Sequence, residues 1–261
     1  MYEFEFVKPA TVAEAVAALA EEDAQALGGG QTLIPTLKQR LAMPSKLVSL
    51  TGIPQLKEIG DNDGVLTIGG AVTHATVAEA AAASYPALAD LASHIGDPAV
   101  RNRGTIGGSL ANNDPAACYP AAALGSGATI VTNRHEITAD DYFRGLFETA
   151  LEEGEIITAV RFPVPEKANY QKFLQPASRF ALVGVFVAKY AAGVRVAVTG
   201  ASEEGVFRWR EAEAALDASF APDALDGHSV DAAGMIGDLH GTREYRAHLV
   251  KVMAKRAVAA A

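Results

Sequence analysis

The chain has 261 residues, of which 49% are hydrophobic and 20% are charged, so it has ample apolar material for one large domain or two smaller ones. Its formal net charge of −9 at pH 7 argues against nucleic acid as a partner, because phosphate backbones are bound by clustered lysine and arginine. The single cysteine, Cys118, excludes an intrachain disulfide or an iron–sulfur cluster held by this chain alone, which fits a reducing compartment.

The sequence carries no pattern of a secretory signal or a membrane span. The first residues, MYEFEF, lack the basic start and the apolar stretch of a secretory signal. The alanine run at residues 80–83 is too short to cross a bilayer. We therefore expect a cytoplasmic protein without an integral membrane segment.

Strand and helix patterns alternate in the first part of the chain. Residues 3–7 alternate polar and apolar side chains, as in a short strand. Thr11 and Glu14 have the spacing of a capping box, which predicts the start of a helix. Residues 24–27 predict a buried strand that leads directly into a triple glycine at residues 28–30.

The middle of the chain contains a hairpin, several helices and a second glycine-rich segment. Turn residues at 61–64 separate two strand patterns, which predicts the hairpin. Thr76 and Glu79 repeat the capping-box spacing and predict the start of another helix. The second glycine-rich segment spans residues 104–110, and residues 156–162 form the last strand pattern of this half.

The sequence changes character after residues 163–167, PVPEK, whose prolines and charges make this segment the best candidate linker. Residues 180–190 and 194–199 predict adjacent antiparallel strands, and residues 209–216 and 242–258 predict helices. This part has neither a glycine-rich segment nor a cluster of titratable residues. We predict a smaller α+β domain that packs on the first.

The two glycine-rich segments together predict a binding site for an extended diphosphate. Glycine permits positive φ and removes the Cβ that would keep a ligand at a distance. Consecutive unpaired N–H groups in such turns form a concave anion site. Neither segment matches the phosphate loop of nucleoside triphosphatases or the G-x-G-x-x-G fingerprint of Rossmann domains. The alternative for the first segment is a loop that turns from a strand into a helix, and the alternative for the second is a bend in a barrel or sheet.

Two stretches of the sequence carry a family resemblance. Residues 27–35 are LGGGQTLIP, and residues 100–117 are VRNRGTIGGSLANNDPAA. The first resembles the A-G-G-x-S-L-L-P loop of the FAD-binding (medium) subunits of molybdenum hydroxylases, the family of carbon monoxide dehydrogenase and xanthine dehydrogenase. The second is similar to their R-N-R-G-T-x-G-G-x-L-A-x-x-D-P-A-A stretch. The likeness extends over nearly the whole chain.

The resemblance implies the fold class and the domain organisation. The class is α+β, with a two-subdomain FAD-binding domain of the vanillyl-alcohol-oxidase/PCMH type followed by a smaller α+β domain. The FAD-binding domain would span residues 1–163, divided near residue 55 into subdomains 1–55 and 56–163. The C-terminal domain would span residues 168–261.

The resemblance also implies the contacts with FAD. The glycine segments would wrap the diphosphate, Asp114 would accept hydrogen bonds from ribityl or adenosine hydroxyls, Ile157 would lie against the isoalloxazine ring and Lys172 would approach the flavin. The predicted cofactor contacts are Leu27, Gly28, Gly29, Gly30, Gln31, Thr32, Leu33, Gly104, Thr105, Gly108, Ser109, Ala111, Asp114, Ile157 and Lys172. No catalytic residue and no metal ligand are expected in this chain.

Several of these positions have a second interpretation. Asp114 would otherwise cap the helix that follows it, Ile157 would be an ordinary core residue, and Lys172 would be a surface charge. Arg101 and Arg103 are expected to brace the loop or the subunit surface rather than to bind phosphate. Cys118 occupies a position where the family usually has an acidic residue near the flavin. We interpret it as a small buried side chain, and the alternative is thiol or thiolate chemistry at the flavin.

The implied function is that of an FAD-binding electron-transfer subunit of a multi-subunit oxidoreductase. Its partners would be a large molybdenum-cofactor subunit and a small subunit with [2Fe–2S] clusters, assembled as a dimer of heterotrimers. Electrons would pass from the clusters through FAD to an external acceptor. The alternatives are a self-contained flavin-dependent oxidase or reductase of the same FAD-domain type, and a scaffold subunit that has lost FAD.

Overall fold

The computed structural model describes residues 1–176 and 178–261 of the chain. The first elements are β1 (Glu5–Val7), α1 (Val12–Leu19), β2 (Ala24–Leu27), α2 (Leu33–Lys38) and β3 (Lys46–Ser49). Their strands form a parallel sheet in the order β1-β3-β2. The predicted helix start at Thr11 is confirmed, because its hydroxyl accepts the N–H of Glu14 at 3.1 Å. The Glu14 carboxylate in turn accepts the N–H of Ala10 at 2.7 Å.

The middle of the chain forms an antiparallel sheet covered by short helices. Its elements are β4 (Ile59–Asn62), β5 (Val65–Gly69), α3 (His74–Ala80), α4 (Pro86–Ser93), α5 (Pro98–Arg101), α6 (Ile106–Asn112), α7 (Tyr119–Ser126), β6 (Thr129–Thr132), β7 (Glu136–Thr138), α8 (Ala139–Tyr142), β8 (Phe143–Gly145), β9 (Glu148–Thr149) and β10 (Ile157–Pro163). Five strands pair in the order β4-β5-β10-β6-β7, and β8 and β9 form a separate hairpin. The hairpin predicted around residues 61–64 is confirmed as β4 and β5.

One helix start in this part differs from the prediction. Helix α3 begins at His74 and is capped by Thr73, whose hydroxyl accepts the N–H of Thr76 at 3.3 Å. The start predicted at Thr76 is therefore wrong by one turn. Two threonines three residues apart both have a cap-like side chain, and Thr73 is the one with extended backbone angles, as an N-cap requires.

The C-terminal part is an antiparallel sheet with two helices. Its elements are β11 (Lys167–Leu174), β12 (Ala181–Tyr190), β13 (Gly193–Thr199), β14 (Phe207–Arg208), α9 (Arg210–Ala218) and α10 (Arg243–Ala260). The strands lie in the order β11-β12-β13-β14. The predicted antiparallel pair is confirmed as β12 and β13, and the proposed linker at residues 163–167 lies between β10 and β11.

Strand β12 is buried on both faces, and this joins the C-terminal sheet to the rest of the chain. Val183, Val185 and Val187 pack in a core with α9 and α10. Phe186 and Ala188, on the opposite face, pack in the core that contains α4, α7 and the five-stranded sheet. Successive side chains of a strand point to opposite faces, so one strand serves two cores.

Hydrogen bonds reinforce this junction. The Thr199 hydroxyl is within hydrogen-bond distance of the carbonyls of Pro115 and Ala117, at 2.9 and 2.7 Å, and the Gly200 N–H donates to the Pro115 carbonyl at 2.7 Å. The Arg195 guanidinium donates to the Leu124 carbonyl at the end of α7. The C-terminal sheet thus holds the segment between α6 and α7 in place.

Replacing Phe186 with alanine tests whether the two cores unfold together. The ring is fully buried, so we expect its loss to lower the free energy of unfolding by about 3–5 kcal/mol. Denaturant unfolding can be followed by far-UV circular dichroism and by the fluorescence of Trp209, the only tryptophan, which lies in the C-terminal core.

Both signals should shift to the same lower midpoint, because Phe186 lies in the shared junction. The control is Phe147→Ala, since the Phe147 ring is 61% exposed and its loss should change stability little. A Trp209 transition that stays unchanged in Phe186→Ala would show that the C-terminal sheet unfolds independently.

Candidate functional site

A cavity of about 720 Å³ lies where the first sheet, the helices of the middle part and the C-terminal sheet meet. Its size is in the range of about 300–1,000 Å³ that is common for ligand and cofactor sites. Every residue predicted to contact the cofactor lines this one cavity. They are Leu27, Gly28, Gly29, Gly30, Gln31, Thr32, Leu33, Gly104, Thr105, Gly108, Ser109, Ala111, Asp114, Ile157 and Lys172.

The first glycine-rich segment is an open anion nest. It connects the end of β2 to the start of α2, and Gly30 has a φ of +74°, which favours glycine. Within the described part of the chain, the N–H groups of residues 29–33 donate to no acceptor. Unpaired N–H groups at the first turn of a helix point toward a potential ligand and carry its partial positive charge. This segment therefore has free donors for a diphosphate.

The second glycine-rich segment is not an open nest, and this part of the prediction is wrong. The N–H groups of Ile106 and Gly107 donate to the carbonyls of Val72 and Gly70, at 3.1 and 2.9 Å. The N–H of Gly108 is bonded to the Thr105 hydroxyl at 3.2 Å, which makes Thr105 the N-cap of α6. The N–H groups of residues 104 and 106–109 are already bonded within the protein, so this segment contributes mainly shape and side chains to the cavity.

The two segments touch each other through backbone atoms. A Cβ on Gly29 would overlap the carbonyl group of Arg103 and the Cα of Gly104, and a Cβ on Gly28 would lie 2.8 Å from the Thr105 hydroxyl. Farther along, a Cβ on Gly107 would lie 2.6 Å from the Gly70 carbonyl. We call these close approaches, of residues 28–29 to residues 103–105 and of Gly107 to Gly70, the glycine contact. Its glycines are explained by close packing within the protein, whereas the sequence pattern had suggested close approach to a ligand.

His74 is a residue of the cavity lining that the sequence motifs do not indicate. Its side chain is 4% exposed, and its Nδ1 atom has no hydrogen-bond partner in the described residues. Burial, together with the nearby Arg101 guanidinium, lowers the pKa of His74 to about 4. The imidazole is therefore neutral near pH 7. Its ring packs beside Tyr119, with the ring centres 5.3 Å apart.

Asp114 and Arg101 are both engaged with nearby backbone. One Asp114 oxygen accepts the N–H of Ala116 at 2.8 Å, which forms a tight turn, and α7 starts later, at Tyr119. The alternative that Asp114 caps the following helix is therefore wrong. The Arg101 guanidinium donates to the carbonyls of residues 95 and 96 at 3.2 and 2.9 Å, which confirms its bracing role.

Apolar side chains and one tethered cation form another part of the lining. Cys118 and Ile157 are buried, at 4% and 5% exposure, which agrees with the interpretation of Cys118 as a small buried side chain. The Lys172 ammonium donates to the His94 carbonyl at 3.0 Å, so its position beside the cavity is fixed. This lining suits a flat aromatic ring system near a positive charge.

Glu155 is a second lining residue that the motifs do not indicate. Burial alone would raise the pKa of its carboxyl, but hydrogen bonds from the Glu152 N–H, Thr132 and His135 hold that pKa below its ordinary value. The Glu152 and His135 bonds measure 2.8 and 3.0 Å. The ionised carboxylate thus ties the turn between β6 and β7 to the turn that precedes β10.

Within residues 1–176 and 178–261, no group of three or more His, Cys, Asp or Glu side chains is arranged to hold a metal ion. Over the same residues, no helix combines the length and the apolar character needed to cross a bilayer.

Comparison with known sequences gives consistent matches. Residues 2–165 match the family described as the FAD binding domain in molybdopterin dehydrogenase. The nicotine 6-hydroxylase medium subunit of Paenarthrobacter nicotinovorans is 35% identical, over 97% of this chain and 95% of that subunit. The carbon monoxide dehydrogenase medium chain of Hydrogenophaga pseudoflava is 32% identical, over 99% of this chain and 96% of that chain.

Solved structures agree with the sequence matches. A chain of quinoline 2-oxidoreductase from Pseudomonas putida 86 superposes with a TM-score of 0.89 at 31% identity, covering 100% of this chain and 97% of that one. A chain of carbon monoxide dehydrogenase from Hydrogenophaga pseudoflava gives a TM-score of 0.89 at 32% identity, with the same coverage.

The glycine contact predicts a large effect of one methyl group. In Gly29→Ala the new Cβ overlaps the Arg103 carbonyl, which cannot move without shifting the second segment. We expect a loss of about 1–3 kcal/mol in the free energy of unfolding, measured by chemical denaturation. Gly227→Ala is the control, because a Cβ there meets nothing within 4 Å. Equal stability of the two variants would contradict the close packing.

The buried neutral His74 predicts a specific pH dependence. Its pKa in the folded state is about 4, against an ordinary value of 6.5, so the unfolded chain binds more protons between these values. Stability should therefore fall as the pH drops from 6.5 to 4, and His74 should account for about 3 kcal/mol of that fall. The free energy of unfolding of wild type and His74→Gln, measured from pH 6.5 to pH 4, isolates the contribution of His74. The same pH dependence of stability in both proteins would contradict a lowered pKa of His74.

Proposed function

The chain belongs to the molybdenum hydroxylase family as its FAD-binding medium subunit, and we propose that the cavity beside the glycine contact holds the FAD. The protein is a flavoprotein subunit of a multi-subunit oxidoreductase, with the molybdenum cofactor in a partner chain. The observation that carries the proposal is the row of free N–H groups at residues 29–33, which opens on the cavity lined by all the other predicted contacts.

The donor set fits a diphosphate. Free backbone N–H groups and the hydroxyls of Thr32 and Ser109 can all donate to phosphate oxygens without carrying charge. The second oxygen of Asp114 can accept from a ribityl or adenosine hydroxyl. Stabilisation of the phosphates would therefore come from oriented dipoles, as at other helix N-termini that bind anions.

The apolar part of the lining fits the isoalloxazine ring. Ile157 and Cys118 would pack against the ring and exclude water from it. Bound FAD supplies the capacity to accept electrons and release them to another molecule. The Lys172 ammonium, held beside the cavity by the His94 carbonyl, would stabilise negative charge that develops on the ring.

The same proposal extends to the assembly. The partners would be a large molybdenum-cofactor subunit and a small subunit with [2Fe–2S] clusters, in a dimer of heterotrimers located in the cytoplasm. Electrons would enter from the clusters and leave to an external acceptor. The near-complete coverage of chains named as medium subunits supports this role, and the single cysteine fits the reducing location.

The proposal also keeps the domain boundaries inferred from the sequence. The FAD-binding domain of vanillyl-alcohol-oxidase/PCMH type would span residues 1–163, with subdomains near 1–55 and 56–163. The proposed division is supported by the strand ranges, because all strands of the three-stranded sheet lie within residues 1–55 and all strands of the five-stranded sheet within residues 56–163. The C-terminal unit would span residues 168–261.

The direct test is the visible absorption spectrum of the purified full chain, with chromatography of any chromophore released by heat. We expect stoichiometric FAD, either as isolated or after incubation of the colourless protein with FAD. A chain that neither carries nor takes up FAD would refute the assignment of the cavity.

Gly108→Ala tests the cavity wall. Gly108 is exposed, and a Cβ there would lie 2.9 Å from the Thr105 hydroxyl. The methyl group would displace the helix cap and narrow the diphosphate site, so we expect FAD affinity to fall about 10-fold, or about 1.4 kcal/mol. Titration of the apoprotein with FAD, followed by flavin fluorescence, measures the change.

The unfolding free energy of the Gly108→Ala apoprotein should change little, because alanine favours a helix by about 1 kcal/mol while loss of the Thr105 cap costs about the same. Gly234→Ala is the matched control, since a Cβ there has open space. Equal FAD affinity in the two variants would remove Gly108 from the site.

A further inference from the structure

His74 is a buried polar side chain in the cavity lining, and the contacts proposed above leave it without a role. Its backbone N–H donates to the Gly104 carbonyl at 3.0 Å, which fixes the residue beside the second glycine-rich segment. Its Nδ1 atom has no hydrogen-bond partner in the described part of the chain. Unpaired polar atoms of buried side chains are uncommon in native proteins and are often found at functional sites.

The two ring nitrogens have different surroundings. Nδ1 is enclosed by protein. Nε2 lies against Gly104, in the space that a side chain at position 104 would occupy. Both His74 and Gly104 line the cavity, and Nδ1 is enclosed whereas Nε2 is not among the enclosed unpartnered atoms, so we take Nε2 as the nitrogen that a ligand there can reach. The absence of a side chain at position 104 is thus what allows the imidazole edge to approach the cavity.

The proton of the neutral imidazole can be assigned from this geometry. A neutral ring carries one N–H and one bare nitrogen. A proton on Nδ1 would bury an N–H donor without an acceptor, which costs about 1–3 kcal/mol and is rarer than an unpaired acceptor. The proton therefore resides on Nε2. In this tautomer the ring presents an uncharged N–H donor toward the cavity.

We propose that His74 is a positioning residue for the cofactor, which donates a hydrogen bond from Nε2–H to an oxygen of the diphosphate–ribityl chain of FAD. This inference rests on the proposed function, because the acceptor belongs to FAD. It adds a side-chain donor from α3 to a site whose other donors come mainly from the first glycine-rich segment. It also gives a reason for the glycine at position 104 beyond the glycine contact.

Two variants of the full chain separate hydrogen bonding from packing. His74→Gln retains an N–H donor at nearly the same reach, whereas His74→Leu fills the space without a donor. With apoprotein titrated by FAD at neutral pH, we expect His74→Leu to bind about 10-fold more weakly, as for the loss of one hydrogen bond of about 1.4 kcal/mol. His74→Gln should remain within about 3-fold of wild type.

Unfolding of each apoprotein establishes that the titrated variants are folded. Equal affinity in wild type and His74→Leu, or the same loss in both variants, would overturn the proposed donor. If wild type itself fails to bind FAD, the assignment of the cavity is refuted. This outcome is distinguishable from a failure of the His74 proposal, in which wild type binds FAD and the variants do not differ as expected.

A measurement on the unmodified chain tests the tautomer independently. Nitrogen-15 NMR of histidine-labelled apoprotein reports which ring nitrogen is protonated, and His74→Gln identifies the signal among the six histidines. We expect the Nε2–H tautomer, with a shift of its signal when FAD is added. A proton on Nδ1, or a signal unaffected by FAD, would overturn the proposal even if His74→Leu does not fold.

Discussion

The cavity depends on a contact that is made without side chains. Residues 28–29 and 103–104 approach so closely that a Cβ on Gly29 has no space, and the same holds where Gly107 meets Gly70. These backbone contacts join the parallel sheet, the five-stranded sheet and helix α6 around one opening. Each glycine costs conformational entropy on folding. The close backbone contacts that the glycines permit join segments that are far apart in sequence. Contacts within the protein therefore determine the shape of the cavity without any contribution from a ligand.

The polar groups of the cavity are divided between binding and support. Two of its charged side chains are held by the protein, Lys172 by the His94 carbonyl and Glu155 by three donors. Uncharged groups that have no partner among the described residues include the N–H groups of residues 29–33 and the imidazole Nδ1 of His74. Backbone dipoles in such a site would stabilise a bound dianionic group.

The sequence correctly predicted the features that depend on interactions between residues close together in the chain. The cap at Thr11, the hairpin around residues 61–64 and the open turn at Gly30 follow from residues within four positions of each other. What the sequence missed depends on distant partners. His74 acquires its surroundings from the segment at Gly104, thirty residues away, and Glu155 from residues 132 and 135. The second glycine-rich segment has the composition of a nest, but its donors are used by Val72 and Gly70, which no local pattern reveals.

At the junction on strand β12, the extent of the sequence-family match differs from the extent of the packed core. The segment that matches the family model, residues 2–165, ends just before β11. The carbonyls of Pro115 and Ala117, within that segment, nevertheless accept hydrogen bonds from Thr199 and Gly200, which lie beyond it. The part that matches the family model is thus smaller than the unit that buries the shared core, and the matches to medium subunits include both parts. Recombination at residue 165 would transplant the glycine segments intact but leave the turn before α7 without its partners. A chimera joined at residue 165 would therefore need a matching replacement for the face of β12 that carries Phe186.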